Sequence, residues 1–282
     1  MSKFRPVRAS SPSRGLLYQP HFVAATERAE VLAFLLDLHP IWEQRFSLHN
    51  PPPVGQSQRW LLRPVYWLGN WQFACLNYYH PPKGVHNRCV AAEAYPPALA
   101  RLVKRIENLT RERIPAADLP PQWELNTCLV NYYGCRIVDG KKIDVARVGE
   151  HRDFEPGPVG SISFGERALI QFVDSKRRDQ PSQVVTQQWL EDCSLQVFAG
   201  ERWKNQLFHR VQRVEKKQGV LFPIHQSDFE TRRINLTFRY VPKAHILPLN
   251  QFPKPLQSDV APYVQQLGKH SRFWQKQEPA GQ

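Results

Sequence analysis

The chain has 282 residues, 41% of them hydrophobic, enough to bury the core of one large domain or two small ones. Its 38 Lys and Arg outnumber its 25 Asp and Glu, and the resulting charge of +13 favours polyanions such as nucleic acid, although a basic soluble protein with no such partner has the same balance. No apolar run is long enough to span a bilayer or to act as a secretory signal, and Cys75, Cys89, Cys128, Cys135 and Cys193 fall at no disulfide, zinc or redox spacing. The expectation is a monomer with no membrane partner, in the reducing cytoplasm or, in a eukaryote, the nucleus.

In chain order, residues 1–14 carry Lys3, Arg5, Arg8 and Arg14 without an acid, among serines and Pro6 and Pro12, as in a flexible basic arm; the prolines oppose the amphipathic helix of a transit segment. The first helix is expected over Glu27 to Leu38, where Val31, Leu32, Leu35 and Leu38 recur at helical spacing behind Thr26 as N-cap. A second starts at Pro96, with Leu99, Leu102, Val103, Ile106 and Leu109 on one face. From Trp123 onward short runs of Val, Ile, Leu and Phe, broken by Gly and Pro, read as strands. Asp139-Gly140 between two such runs is a type I′ hairpin signal. Asp174 to Gln188 is polar and aperiodic and reads as an exposed loop, and residues 246–282, rich in proline, as a surface-wrapping or disordered tail. One β-rich domain over residues 15–245, with helices packed outside, is the simplest account.

Gly149-Glu150-His151-Arg152-Asp153 puts an imidazole and a carboxylate two residues apart, so an extended strand points both the same way. A second histidine would complete the facial triad of non-haem iron(II) oxygenases, which leaves positions open for a cosubstrate and dioxygen. His209, among apolar residues in Leu207-Phe208-His209-Arg210-Val211, is the preferred candidate. His225 is the rival, but its Pro223-Ile224-His225-Gln226 loop lies too close to the next strand to return from the opposite side. Alone, the His-x-Asp spacing also arises by chance on solvated surfaces.

That next strand alternates strictly. Ile234, Leu236, Phe238 and Tyr240 form an apolar side, and Arg233, Asn235, Thr237 and Arg239 the other, which is either a solvated sheet face or a pocket wall. Six residues span about 20 Å, and two inward-reaching arginines would leave a gap of about 6 Å, suited to the two carboxylates of 2-oxoglutarate. Asn131 and Tyr133 share one side of another strand and could help to hold the acid or simply bond within the interior.

Asn131-Tyr132-Tyr133, His151-Arg152-Asp153, His209 and Arg233-Ile234-Asn235-Leu236-Thr237-Phe238-Arg239, in this order and with Gly160 to Gly165 between them, resemble the AlkB family of nucleic-acid dealkylating dioxygenases from about Leu16 to Val241. The resemblance implies a mainly β fold, a double-stranded β-helix or jelly roll over about 123–242, buttressed by N-terminal helices, with a nucleotide-recognition lid over about 60–90. It implies iron(II) on His151, Asp153 and His209, with dioxygen and 2-oxoglutarate as cosubstrates. Arg239 and Asn131 would hold the keto-acid end of 2-oxoglutarate, and Arg233, Asn235 and Tyr133 its distal carboxylate. Glu155 falls where family members contact the damaged base, and Trp67, Trp71, Tyr78 and Tyr79 offer stacking surfaces, although the lid matches only loosely. The implied reaction removes N-alkyl groups from bases such as 1-methyladenine or 3-methylcytosine in single-stranded DNA or RNA, or in a flipped base, releasing formaldehyde, succinate and carbon dioxide. A 2-oxoglutarate-dependent hydroxylase or demethylase of protein or a small molecule would share the cosubstrate machinery, and a non-catalytic nucleic-acid-binding jelly roll would share the barrel.

Overall fold

Alternation of apolar residues pulls the second half of the chain into strands, and the two longest of them pair along nearly their whole length. The computed structural model describes residues 14–76, 89–174, 181–214, 219 and 221–277. In chain order these form β1 (Leu16–Gln19), α1 (Ala25–Asp37), β2 (Val65–Leu68), β3 (Asn70–Trp71), β4 (Cys89–Ala91), α2 (Pro97–Arg113), β5 (Thr127–Val138), β6 (Lys141–Asp144) and β7 (Val148–His151). There follow β8 (Val159–Gly165), β9 (Ala168–Val173), β10 (Val184–Leu190), β11 (Leu195–Phe198), β12 (Phe208–Gln212), β13 (Phe229–Arg239), β14 (Ile246–Leu247), α3 (Lys254–Gly268) and α4 (Arg272–Gln275).

The large sheet runs β1-β11-β8-β13-β5-β2, with β6 paired to β5; the smaller runs β10-β9-β12-β7, and both are antiparallel. A third, minor sheet is β14-β4-β3. This is the mainly β jelly roll expected, although the large sheet also recruits β1 and β2 from the first seventy residues. No described helix is long and apolar enough to cross a membrane.

The two faces of the large sheet separate as the alternation predicts. Ile234, Leu236 and Phe238 join Cys128, Val130, Tyr132, Ile162 and Phe164 in a core shared with Leu35 of α1 and Leu99, Leu102 and Ile106 of α2. Burying each large apolar side chain contributes about 1.5–3 kcal/mol, and the Tyr132 hydroxyl is satisfied by donating to the Leu35 carbonyl at 2.9 Å. The opposite face is not solvated: Arg233, Asn235 and Arg239 are 3%, 5% and 6% exposed. Between the sheets a second cluster holds Val159, Ile170, Phe172, Leu190, Phe198, Trp203 and Leu207.

Local signals are met closely. α2 starts directly after Pro96, where a proline costs no helical hydrogen bond. α1 begins just before the expected start, capped by the Glu27 carboxylate, which accepts from the Ala24 N–H at 2.9 Å, so Thr26 is not the cap. β5 and β6 join through Asp139 (φ 49°) and Gly140 (φ 72°), the backbone that a type I′ turn requires.

Three expectations need correction. Part of the anticipated 174–188 loop is β10, an edge strand on β9 whose exposed residues hide the apolar alternation. The 246–282 tail is not a surface wrap over its described part: α3 and α4 sink Val260, Tyr263, Val264, Leu267 and Trp274 into the main core. Its prolines misled, because Pro253 and Pro255 sit at the start of α3, where the backbone N–H has no helical partner anyway, and only Pro262 lies inside it. Within the anticipated 60–90 lid, β2 extends the large sheet by pairing with β5, and Trp67 and Trp71 are buried rather than displayed. Residues 1–13 of the basic arm, and Tyr78 and Tyr79, lie outside the described residues.

Trp67 and Trp71 are held by a buried acid. Their indole N–H groups donate to Glu43 Oε1 at 2.6 and 2.9 Å, and the Ala74 N–H donates to Oε2 at 2.9 Å. Burial outweighs these donors and lifts the Glu43 carboxyl to about 7. The folded state therefore retains a proton that the unfolded chain releases near pH 4.5, and stability falls as pH rises from about 4.5 to 7, by about 3 kcal/mol in total. Glu43→Gln should flatten that slope in urea unfolding at pH 5, 6 and 7, while lowering stability at every pH because its amide turns a donor toward the Ala74 N–H. An unchanged slope would contradict the buried proton.

Candidate active site

The smaller sheet aligns two imidazoles. His209 on β12 lies directly opposite His151 on β7, with ring centroids 4.1 Å apart. β7 ends at His151, so Asp153 stands in the following loop rather than on the strand, and its Oδ2 comes within 3.4 Å of His209 Nε2. One ligand atom from each of the three residues lies within 4.8 Å of those of the others, the only such group of metal-binding type among the described residues. His151 Nδ1 is 2.8 Å from the Gly149 carbonyl, which can only accept, so the proton sits on Nδ1 and Nε2 is left with a lone pair. The rival His225 is elsewhere, stacked on His39 at 4.0 Å.

Electrostatics favour a ligand set ready for a cation. Burial, with the neighbouring His151, pushes His209 down to about 3, and burial also lowers His151, so both rings are neutral donors near pH 7. Burial alone would raise Asp153, but Arg239 foremost, then His209, hold its carboxyl well below the usual range. Arg239 grips Asp153 Oδ1 through Nη2 at 2.8 Å and Nε at 2.9 Å, and its Nε is 3.5 Å from Glu155 Oε1. The guanidinium expected at the keto-acid end of a cosubstrate thus also orients the metal-facing carboxylate. Asp153 Oδ2, buried beside the histidines, has no hydrogen-bond partner, as suits an oxygen that ligates a metal.

On the large sheet, β13 pairs Arg233 with Tyr133 and Asn235 with Asn131 on β5. Arg233 Nη2 donates to Ser163 at 3.0 Å and its charge lies 4.9 Å from the Tyr133 ring, but its buried Nε has no partner. Burial depresses its pKa, as expected for a cation still lacking an anion. Asn235 departs from expectation: its amide donates to Ser161 Oγ at 2.8 Å and the Ile162 carbonyl at 2.9 Å, so it braces β13 against β8 and has no hydrogen left for a cosubstrate. Trp71 is excluded from any substrate surface, being 1% exposed and stacked on Phe73 at 4.1 Å. Glu155 is buried two residues beyond Asp153, on the guanidinium that also holds that aspartate.

Two residues were not anticipated. Arg63 lies just before β2, its Nε donating to Asn131 Oδ1 at 2.7 Å and its charge 4.7 Å from the Tyr133 ring. Its signal was the continuation of β2 by two residues, which puts position 63 on the same side as Val65 and across from Tyr133. Lys204 is buried in a π-helical turn, Glu201–Gln206, and nothing in its polar sequence neighbourhood announces that.

The family model for the 2OG-Fe(II) oxygenase superfamily matches residues 15–239, from the first strand through the last arginine of β13. The chain belongs to the 2OG-Fe(II) oxygenase superfamily. The solved structure of OsALKBH1 overlays with a TM-score of 0.51 at 20% identity, covering 82% of this chain and all of that one, a likeness of fold. A DNA N(6)-methyladenine demethylase, ALKBH1D of Arabidopsis thaliana, is 24% identical over 133 residues, 44% of this chain. That match spans only 27% of the relative's length. As a member of that superfamily, the chain is an oxygenase dependent on iron(II) and 2-oxoglutarate. Its two neutral imidazoles, unpartnered Asp153 oxygen and anion-starved Arg233 fit that pair of groups.

Proposed function

We propose that this dioxygenase removes N-alkyl groups from nucleic-acid bases. The observation that carries this reading is the triad of half-buried His151 with buried Asp153 and His209, set beside both a carboxylate, Glu155, and a guanidinium pocket, in a chain of charge +13. The relative named for N6-methyladenine demethylation supports the choice of a base as substrate.

In this reading His151 Nε2, Asp153 Oδ2 and His209 hold iron(II), and Arg239 keeps the aspartate turned toward it. Arg233 receives the distal carboxylate of 2-oxoglutarate in paired, charge-assisted hydrogen bonds, while Tyr133, Asn131 and Arg63 close the pocket around the acid. When bound, iron(II) and 2-oxoglutarate would supply the oxidising chemistry, one atom of dioxygen ending in succinate with loss of carbon dioxide and the other in the N-methyl C–H bond, so that the N-hydroxymethyl group would leave as formaldehyde. Glu155 accepts a hydrogen bond from the base, which must leave its stack to bring its N-alkyl group to the triad. The positive surface contributes affinity through phosphates.

Single-stranded DNA and RNA oligonucleotides carrying 1-methyladenine, 3-methylcytosine or N6-methyladenine, incubated with the enzyme, iron(II) and 2-oxoglutarate, should lose one CH2 in mass and yield formaldehyde. Succinate formation with every oligonucleotide intact would transfer the activity to a protein or small-molecule substrate.

A further inference from the structure

Among the described residues, Lys204 is the one strongly buried cation near the triad that the cosubstrate reading leaves without a task. In its turn, closed by the Leu207 N–H donating to the Arg202 carbonyl at 3.0 Å, Glu201, Arg202, Asn205 and Gln206 face solvent while Trp203 and Lys204 face inward. π-helical turns of this kind commonly mark functional sites. Trp203 is accounted for, packed on Phe172 at 5.1 Å and donating its indole N–H to the Arg14 carbonyl. Lys204 is 6% exposed, and its Nζ donates to nothing. An ammonium taken out of water without hydrogen bonds is costly, and such a group is retained where a ligand completes it. Burial lowers its pKa, while the Asp153 and Glu155 carboxylates act to raise it and Arg239 to lower it, so Lys204 stands within electrostatic reach of the metal-facing aspartate and of Glu155.

We infer that Lys204 is a specificity-determining residue, which with Glu155 forms a donor and acceptor pair that selects an uncharged N-alkylated base presenting a carbonyl oxygen or ring nitrogen. This rests on the nucleic-acid reading above. The charge balance argues the same way. Asp153 and Glu155 are offset by Arg239 and Lys204, Arg233 and Arg63 line the anion pocket, and the two charges of iron(II) are offset by those of 2-oxoglutarate. A base whose alkylated ring nitrogen fixes a positive charge, as in 1-methyladenine and 3-methylcytosine, enters with no spare negative charge to meet it and an ammonium alongside. N6-methyladenine, 1-methylguanine and 3-methylthymine stay neutral, and each offers acceptors to Lys204; the first two also carry N–H groups for Glu155.

The test compares kcat/KM by mass spectrometry, and anaerobic binding by fluorescence anisotropy, for otherwise identical single strands bearing each of these five bases, with wild type, K204M and K204R. Wild type should favour the neutral bases. K204M should lower that preference by roughly tenfold or more, cationic bases gaining and neutral ones losing, as expected for unit charges about 6 Å apart at an effective dielectric near 20. K204R should keep the preference, and if K204M fails to fold, the wild-type ratio and K204R decide. Demethylation with no preference, a preference for cationic bases, or an equal loss on all five in K204M overturns the role of Lys204 alone. Succinate formation with no oligonucleotide altered overturns the nucleic-acid reading and this inference together.

Discussion

Asp153→Asn should cut succinate formation by more than roughly a hundredfold, since even the outer partners of metal ligands can cost that much. Asparagine is the better probe than alanine. Arg239 is clamped on Asp153 Oδ1 at 2.8 and 2.9 Å, and emptying that position would strand a buried cation at a cost of about 3–5 kcal/mol. The amide keeps an acceptor for Arg239 but presents a weak, neutral ligand to the metal. Iron-dependent turnover near the wild-type rate, in protein that unfolds cooperatively, would remove Asp153 from the centre.

Arg233→Met separates binding from folding. Its guanidinium donates to Ser163 and faces Tyr133, and among the described residues no carboxylate pairs with it. A charge-assisted pair with 2-oxoglutarate is worth about 1.5–3 kcal/mol, so the Michaelis constant for the cosubstrate should rise roughly ten- to a hundredfold. The unliganded variant should be as stable as wild type or more so, because a desolvated cation has been exchanged for an apolar side chain of similar length. Saturating 2-oxoglutarate should raise the melting temperature of wild type and not of the variant. Equal thermal gains in both would place the acid elsewhere.

The residues that were legible in the sequence are those whose chemistry coincides with a strand period. The alternation of Arg233 to Tyr240 foretold both faces of β13, because a period of two leaves little freedom; His151 and Asp153 converge as their spacing suggested, but through the loop after β7 rather than along a strand. The double face of Arg233, Asn235 and Arg239, solvated or inward, was settled by the second sheet across from them, a long-range fact. Hydrogen-bond competition was equally hidden: Asn235 is consumed by Ser161 and Ile162, and two of the Arg239 nitrogens are turned to Asp153. Trp67 and Trp71 looked like stacking surfaces because nothing marks Glu43, more than twenty residues earlier, as their buried acceptor. In α3 the apolar period of Val260, Val264 and Leu267 was present, but weighed less than Pro262 and the prolines before it.

The central claim is that one divalent ion and one dicarboxylate share this pocket. Crystals soaked anaerobically with manganese(II) and 2-oxoglutarate, measured at the manganese absorption edge, address it most directly. The account predicts a single strong anomalous peak bonded to His151 Nε2, Asp153 Oδ2 and His209, with the distal carboxylate of the acid on Arg233. A peak that lacks any of those three ligands, or an acid bound away from Arg233, would contradict it.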